Sequence, residues 1–319
     1  EKAAFKTDNP IEEMGIKQDV IATPISQMVK DCLADTGMDN KSMLKCRNMF
    51  AVGLVCWLFS RDLTIAEEFI REKFAKKPEI AEANIKVIRA GYDYGHNTHA
   101  SASHTYKIES KVKTPGRYMD ITGNKATAYG FIGAAEKAGL KLYLGSYPIT
   151  PATDVLHELS KHKSLGVMTV QCEDEISGCA SAVGASFAGA LAVTSTSGPG
   201  ICLKSEAMNL AVIMELPLVV LDVQRGGPAT GLPTKSEQTD LLQVLFGRNG
   251  ESPMPVLAAT SPTDCFECAY MASKIALEHM TPVVLLTDAF VANGSAAWKL
   301  PKLADYPAIV PPYVRPEMQ

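Results

Sequence analysis

The chain has 319 residues, more than one average domain, so it reads as one large domain or two ordinary ones. Hydrophobic residues make up 46% and charged residues 21%, the profile of a globular chain rather than a disordered one. A formal charge of −4 and a pI of about 5.9 exclude a phosphate-backbone binder as the main role, and no apolar run approaches the roughly 18–20 residues of a membrane span, so neither nucleic acid nor membrane is expected as a partner. From Asp8 to about Ala90 the periodicity is helical: Val20–Leu33, Met43–Phe59, Ile65–Phe74 and Ile80–Ala90 each carry one apolar face. Lys76-Lys-Pro78 separates the last two. Residues 91–118 lose the pattern and read as a solvated linker. It holds three of the six histidines (His96, His99, His104), but their spacing suits neither one helix face nor a metal finger. From Gly123 onward short β-rich runs (Leu140–Gly145, Gly166–Gln171, Ala190–Ser195, Pro217–Val223, Pro282–Thr287) alternate with helical patterns at Ala152–Lys161, Asp174–Phe187, Ile201–Met214 and Pro262–His279. Continuously apolar strands separated by helices predict an α/β fold, a parallel sheet with helices on both faces, preceded by the mainly helical segment.

The chain opens charged at Glu1-Lys2, which reads as no signal peptide. It lacks an initiating Met and stops at Pro316-Glu-Met-Gln319, as expected of a piece of something longer. Its eight cysteines are sparse and irregular, pointing to free thiols in a reducing compartment, the cytoplasm. Cys265 and Cys268 form a CxxC at the start of a helical pattern and read as two thiols on a helix face. No C-x₂-C-x₂-C-x₃-C run is present, so no ferredoxin-type cluster is expected in this chain.

In such folds ligands bind beyond the carboxyl ends of strands, near a topological switch point, and four strand-following loops stand out. In Gly145–Asp154, Thr150 precedes Pro151; it reads either as the N-cap of a helix with Pro151 at its first position, or as part of an anion site at that helix start. In Gln171–Glu175 the acids suit a first helical turn, or supply a proton-sharing carboxylate at the mouth of a helix of small residues. Thr194–Gly200 is a hydroxyl- and glycine-rich turn, either a plain strand-to-helix turn or a ligand contact. In Asp222–Asp240, Arg225 sits at the end of a buried strand, suited to bidentate carboxylate recognition or to an ion pair with a neighbouring acid.

Together Tyr147-Pro-Ile-Thr-Pro151, Glu175 with its small-residue helix, Thr196-Ser-Gly-Pro-Gly200 and Gln224-Arg-Gly-Gly-Pro-Ala-Thr-Gly-Leu-Pro-Thr-Lys235 resemble the α subunit of the 2-oxoacid:ferredoxin oxidoreductases, most closely the 2-oxoglutarate enzymes. The resemblance runs from about Gly123 to Ala289; residues 1–90, with Asn48–Gly53 and Asn84–Tyr92, resemble the end of the family's γ domain, which some members fuse ahead of the α domain. It implies a γ-like segment at 1–90, a linker at 91–118 and a thiamine diphosphate pyrimidine-binding domain at 119–319. Glu175 is then expected to hydrogen-bond the aminopyrimidine ring nitrogen. Thr150 and Arg225 would hold the 2-oxoacid carboxylate, and Ser197, Gly198, Pro199 and Gly200 would lie against the cofactor. Thr230 and Lys235 would reach the distal carboxylate of 2-oxoglutarate. The implied reaction is oxidative decarboxylation to an acyl-coenzyme A, with electrons leaving through iron–sulfur clusters to ferredoxin.

The pattern also departs from the family. A Gly-Asp-Gly motif followed by an Asn pair is missing, so the resemblance puts Mg²⁺ and a [4Fe-4S] cluster on a partner β chain in a hetero-oligomer. Ala229 stands where 2-oxoglutarate members often carry Ser, and the further C-terminal domain of such subunits is absent from these residues. The alternatives are a sister enzyme for pyruvate, branched 2-oxoacids or indolepyruvate, a catalytically silent assembly subunit, or a generic nucleotide-binding protein, for which the phosphate-binding fingerprint is missing.

Overall fold

The computed structural model describes residues 5–7, 9–18, 20–99, 105–109 and 114–313. The chain forms two compact units, Glu1–Thr114 and Pro115–Gln319.

The first unit is helical among its described residues: α1 (Pro10–Glu13), α2 (Ile25–Leu33), α3 (Asn40–Lys45), α4 (Arg47–Leu58), α5 (Thr64–Lys73) and α6 (Pro78–His99). Pro24 occupies the N-cap position of α2, so that helix begins later than its periodicity alone implies. Asp39 caps α3 by accepting from the Lys41 and Ser42 amides at 2.9 and 3.0 Å. The stretch expected as one helix from Met43 to Phe59 is broken at Cys46, whose amide turns back to the Met43 carbonyl at 3.0 Å. Val29, Leu33, Phe50 and Val87 form the centre of one core cluster, and Ile70, Ile85 and Ile88 of another.

The linker expected to begin at residue 91 is corrected here: α6 continues to His99. Gly91 and Gly95, which look like helix breaks in sequence, are the places where α4 and α6 cross. A Cβ on Gly91 would collide with the Phe50 carbonyl, one on Gly53 with that of Ile88, and one on Gly95 would lie 2.5 Å from the Trp57 ring. Small residues let two backbones approach where larger ones hold them apart. Further along the same stretch, the Tyr106 amide donates to the Leu58 carbonyl at 2.7 Å and its ring packs 5.6 Å from that of Phe59, so this part is docked rather than free. His96 is exposed on α6, and His104 lies outside the described residues.

The second unit runs β1 (Tyr118–Thr122), α7 (Gly123–Ala138), β2 (Leu142–Ser146), α8 (Thr153–Leu159), β3 (Val167–Gln171), α9 (Glu175–Phe187), β4 (Leu191–Thr196), α10 (Gly198–Ile213), β5 (Leu218–Gln224), α11 (Leu241–Phe246), β6 (Val256–Ala258), α12 (Asp264–His279), β7 (Pro282–Asp288), α13 (Ala289–Asn293) and β8 (Ser295–Lys299). Six strands form one parallel sheet in the order β3-β2-β4-β5-β7-β6, and β1 pairs antiparallel with β8. Alternation splits the strand residues between two cores. Leu144, Val193, Leu221 and Leu285 pack with Phe131, Leu159 and Ala272 under α7, α8 and α12. Ala192, Val220 and Val284 pack with Ala182, Met208 and Val244 under α9, α10 and α11. The expected parallel sheet covered on both faces is the observed one.

From β2 the chain passes outward to β3 and returns to β4 on the other side of β2. The switch point therefore lies between the carboxyl ends of β2 and β4, where Ser146 Oγ meets the Ser195 carbonyl at 3.0 Å and the Ser195 hydroxyl at 2.8 Å.

The glycine contacts set up opposite outcomes for one substitution. Gly91→Ala is expected to destabilise the helical unit by about 1–3 kcal/mol through overpacking. Gly184→Ala on α9, where the added Cβ meets open space, is expected to stabilise by roughly 0.5–1 kcal/mol. Urea titrations followed by the fluorescence of Trp57 and Trp298, one in each unit, measure both; effects of the same sign would contradict the α4–α6 crossing.

Candidate functional site

At the switch point three loops and two helix starts converge. In the first loop, Thr150 was a candidate N-cap, and that expectation is corrected. α8 begins at Thr153 with Ala152 in the cap position, and residues 150–152 form a turn held from outside. Arg225 Nη1 donates to the Thr150 carbonyl at 2.7 Å, and the buried Asn124 on α7 donates to the Pro151 carbonyl at 2.9 Å. The Thr150–Pro151 and Gly227–Pro228 peptides are both cis.

Three acids precede or open α9, and the structure separates them. Asp174 is the N-cap: it accepts from the Ser177 amide at 2.7 Å in a capping box, and that bond holds its carboxyl below the usual range. Glu173 is exposed. Glu175 is the first residue of the helix, half-buried, and among the described residues no donor is bonded to its carboxylate. It faces Gly200 near the start of α10, where an added Cβ would collide with Thr196 Oγ1 and lie 2.8 Å from Glu175 Cγ. A glycine at the close approach, a helix of small residues and an unengaged carboxylate make a cradle for the edge of a flat nitrogen heterocycle. α10 itself starts at Gly198, three residues earlier than its apolar periodicity indicates, and the Ser197 hydroxyl at its N-cap is buried without a partner.

Arg225 follows β5 and is 7% exposed. Its Nη1 holds Thr150 and its Nη2 holds the Thr230 carbonyl at 2.6 Å. Among the described residues its partners are carbonyls rather than the neighbouring acid that one reading of the sequence allowed. The Nε–H is buried and unpartnered. The loop after it folds back through Gly226, whose amide donates to the Lys235 carbonyl at 2.8 Å, and Gly227, whose amide donates to Glu237 Oε2 at 2.7 Å. Arg225, Thr230, Gly198 and Pro199 line a cleft of about 620 Å³, joined by Glu237 and Asp240. Thus the structure brings Arg225, Thr150, Thr230, Gly198 and Pro199 together, and Glu175 with Gly200. The α10 start is common to both groups. Lys235 is exposed and outside the cleft lining. Cys265 and Cys268 lie on α12, where burial pushes their thiols up to about 12 and about 11.

Sequence reasoning missed two buried charges beside this site. Lys204, on α10, is 0% exposed. Asp222 interrupts the apolar run of β5; it is wholly buried and neither carboxyl oxygen meets an N–H or O–H donor. It faces the Asp240 carboxyl, which in turn packs 2.8 Å from where a Gly198 Cβ would stand. Burial first, and Asp240's charge second, push the Asp222 carboxyl well above the usual carboxylate range. An acid in the middle of an otherwise apolar strand was the available signal. Lys204 left none, because lysine on a helix is ordinarily solvated.

A carboxyl whose folded pKa exceeds its unfolded value, about 3.9 for Asp, contributes most below that value. Its contribution falls as pH rises toward the folded pKa. Asp222→Asn, uncharged at every pH, is therefore expected to raise the thermal midpoint more at pH 7.5 than at pH 5. A gain independent of pH would show that Asp222 is already ionised in the fold.

Comparisons with known proteins identify the family. Residues 134–318 match the family described as pyruvate flavodoxin/ferredoxin oxidoreductase, thiamine diphosphate-binding, and residues 5–94 match that described as pyruvate ferredoxin/flavodoxin oxidoreductase. The chain is 53% identical over 309 residues to the 2-oxoglutarate oxidoreductase subunit KorA of Mycobacterium tuberculosis, covering 97% of this chain and 47% of that protein. It is 40% identical over 186 residues to the 2-oxoglutarate synthase subunit KorA of Archaeoglobus fulgidus, covering 58% and 52% of the two. Among solved structures, the 2-oxoglutarate:ferredoxin oxidoreductase from Magnetococcus marinus with 2-oxoglutarate, coenzyme A and succinyl-CoA bound aligns with a TM-score of 0.79 at 33% identity, over 90% of this chain and 48% of that one. The chain spans about half the length of the relatives it matches. The family match covers more than half of the chain and coincides with the unit that carries Glu175 and Arg225, so the chain belongs to the pyruvate flavodoxin/ferredoxin oxidoreductase family, in its thiamine diphosphate-binding part.

Proposed function

We propose that this chain acts as the α part, fused to a γ-like segment, of a 2-oxoglutarate:ferredoxin oxidoreductase that oxidatively decarboxylates the 2-oxoacid to its acyl-coenzyme A. The observation that carries this reading is the donor-free Glu175 carboxylate set against Gly200, which suits the aminopyrimidine edge of thiamine diphosphate. Bound thiamine diphosphate supplies the nucleophilic carbon and the electron sink that decarboxylation of a 2-oxoacid requires.

Glu175 would accept a hydrogen bond from the aminopyrimidine ring, and Ser197, Gly198, Pro199 and Gly200 would help to hold it. Arg225 is suited to the 2-oxoacid carboxylate because its Nε–H is buried, unpartnered and beside the cleft; its two carbonyl bonds fix the guanidinium plane. Thr150 borders the same carboxylate, and Thr230 the distal end of the substrate. A partner β chain supplies the Mg²⁺-diphosphate half and a [4Fe-4S] cluster, and ferredoxin receives the electrons. The exposed Ile213 of α10 and Leu242 and Phe246 of α11 support such an assembly. No helix among the described residues is long and apolar enough to cross a membrane; we place the enzyme in the cytoplasm. The γ-like segment then extends to the end of α6 rather than to residue 90.

A sister specificity for pyruvate, branched 2-oxoacids or indolepyruvate has one observation in its favour. Lys235, the expected partner of a distal carboxylate, lies outside the cleft. Anaerobic, coenzyme A-dependent viologen reduction by the complete assembly against a panel of 2-oxoacids decides between them. Turnover with 2-oxoglutarate alone is expected; turnover with pyruvate instead would overturn the substrate, and no turnover with any 2-oxoacid would overturn the reaction. In the same assay Glu175→Gln is expected to lower kcat at least ~10²-fold. Arg225→Lys keeps the charge but loses the planar fork, and is expected to raise KM for the 2-oxoacid ~10-fold or more.

A further inference from the structure

We propose that Lys204 is the positioning residue of Glu175, a buried cation that fixes the first turn of α9 against β4 and so places the Glu175 carboxylate; the inference rests on the cofactor reading given above. Lys204 Nζ donates to the Glu175 main-chain carbonyl at 3.0 Å and to Thr194 Oγ1 at 2.9 Å. Gly200 and Lys204 are four residues apart on α10 and share one face of it. The first abuts the Glu175 side chain and the second grips its main chain, so Glu175 is held at two points by one helix face.

Satisfying these acceptors does not require a lysine. The Glu175 carbonyl lies in the first turn of α9, where the helix ladder provides a donor four residues on. A threonine hydroxyl supplies its own proton to a neighbouring carbonyl. Burying an ammonium is costly, and an apolar side chain of the same length fills the same space without that cost. What only the lysine provides is an ammonium beneath Glu175, whose proton affinity burial lowers and the neighbouring Cys179, Glu175, Cys172 and Asp174 partly restore. The other groups around it are the Asp174 cap, the Cys172 and Cys179 thiols, and Glu206 near Cys179. The Cys179 thiol is pushed up to about 11 by burial and stays neutral through the physiological range. Asp174 is exposed and bonded to Ser177. Lys204 is therefore the buried cation that holds the Glu175 turn in place.

The test uses the complete assembly with Lys204→Met and Lys204→Arg, and Glu175→Gln as the control for the underlying reading. Two readouts are taken: a near-ultraviolet circular dichroism titration of bound, unreacted thiamine diphosphate, which follows its aminopyrimidine protonation, and the pH profile of kcat/KM for viologen reduction. For Lys204→Met, both the spectroscopic midpoint and the acid limb are expected to move up by about one pH unit or more. The thermal midpoint should be equal or higher, and Lys204→Arg should return both toward wild type. Profiles and titrations superimposing on wild type would overturn the proposal and leave Lys204 as packing. If Lys204→Met does not assemble, Thr194→Val, which removes one acceptor and keeps the ammonium, is expected to shift both readouts in the same direction by less; no shift overturns the proposal equally. If Glu175→Gln retains wild-type turnover and spectrum, the cofactor reading itself fails. If Glu175→Gln abolishes them while Lys204→Met leaves them unchanged, only the present inference fails.

Discussion

A parallel sheet covered on both faces has nowhere to solvate a polar side chain except at its strand ends, and this constraint organises the second unit. β4 and β5 are buried along their whole length, yet β4 ends in Thr194, Ser195 and Thr196 and β5 contains Asp222 and Gln224. Each must find a partner inside the protein. Ser195 finds Ser146 across the switch point, Thr194 finds Lys204, and Gln224 accepts from the Asp240 amide at 3.0 Å while donating to the Thr287 carbonyl at 3.1 Å. Asp222 finds only another acid, and burial pushes its carboxyl well above the usual carboxylate range. The polar network at the strand ends is thus internally closed at most points. Among the atoms left open are Ser197 Oγ, Thr287 Oγ1, the facing Asp222 and Asp240 oxygens and Arg225 Nε, and the last belongs to a residue that faces a ligand in the proposed reaction.

Close backbone approach is the second recurring device, and it is used for different ends in the two units. At the crossing of α4 and α6, Gly53, Gly91 and Gly95 bring two helices together for packing alone. At Gly200 the same absence of a side chain lets the start of α10 pack directly against Thr196 and Glu175. In neither place does φ demand glycine; the space does. Gly231 differs, since its φ of +59° and its contact with the Gly226 carbonyl both require glycine for the loop after Arg225 to fold back.

Much of this was legible in the residues. The apolar runs at 140–145, 190–195, 217–223 and 282–287 located four of the sheet strands to within two residues, because a strand buried on both faces leaves a continuous signature. The three-residue β6 and the β1–β8 ribbon were invisible, being short or exposed along one side. The glycines of α6 misled because local propensity counts a helical glycine as a break, whereas the tertiary crossing makes it necessary. Thr150 misled in a similar way: its sequence fits a cap, but Arg225, 75 residues away, claims its carbonyl. Spacing alone did not separate the three acids; the resemblance pointed to Glu175, and the capping box shows that Asp174 is engaged as the N-cap. The pairing of Arg225 with main-chain carbonyls rather than an acid has no sequence signature at all.

Lys204, Asp222 and Arg225, all buried, gather around the first two turns of α10 and the loop that faces them. Three such groups in one place contribute little to stability; a core of hydrophobic residues of the same volume is as stable or more so. Their effect is to define the surroundings of the cleft electrostatically before any ligand arrives, with cations behind Glu175 and beside the cleft and two facing acids next to it. Preorganised charge of this kind does not have to rearrange when a proton or a carboxylate changes state. The stability given up at α10 is compensated by the large apolar cores on the two sheet faces, which keep every one of these charges in place.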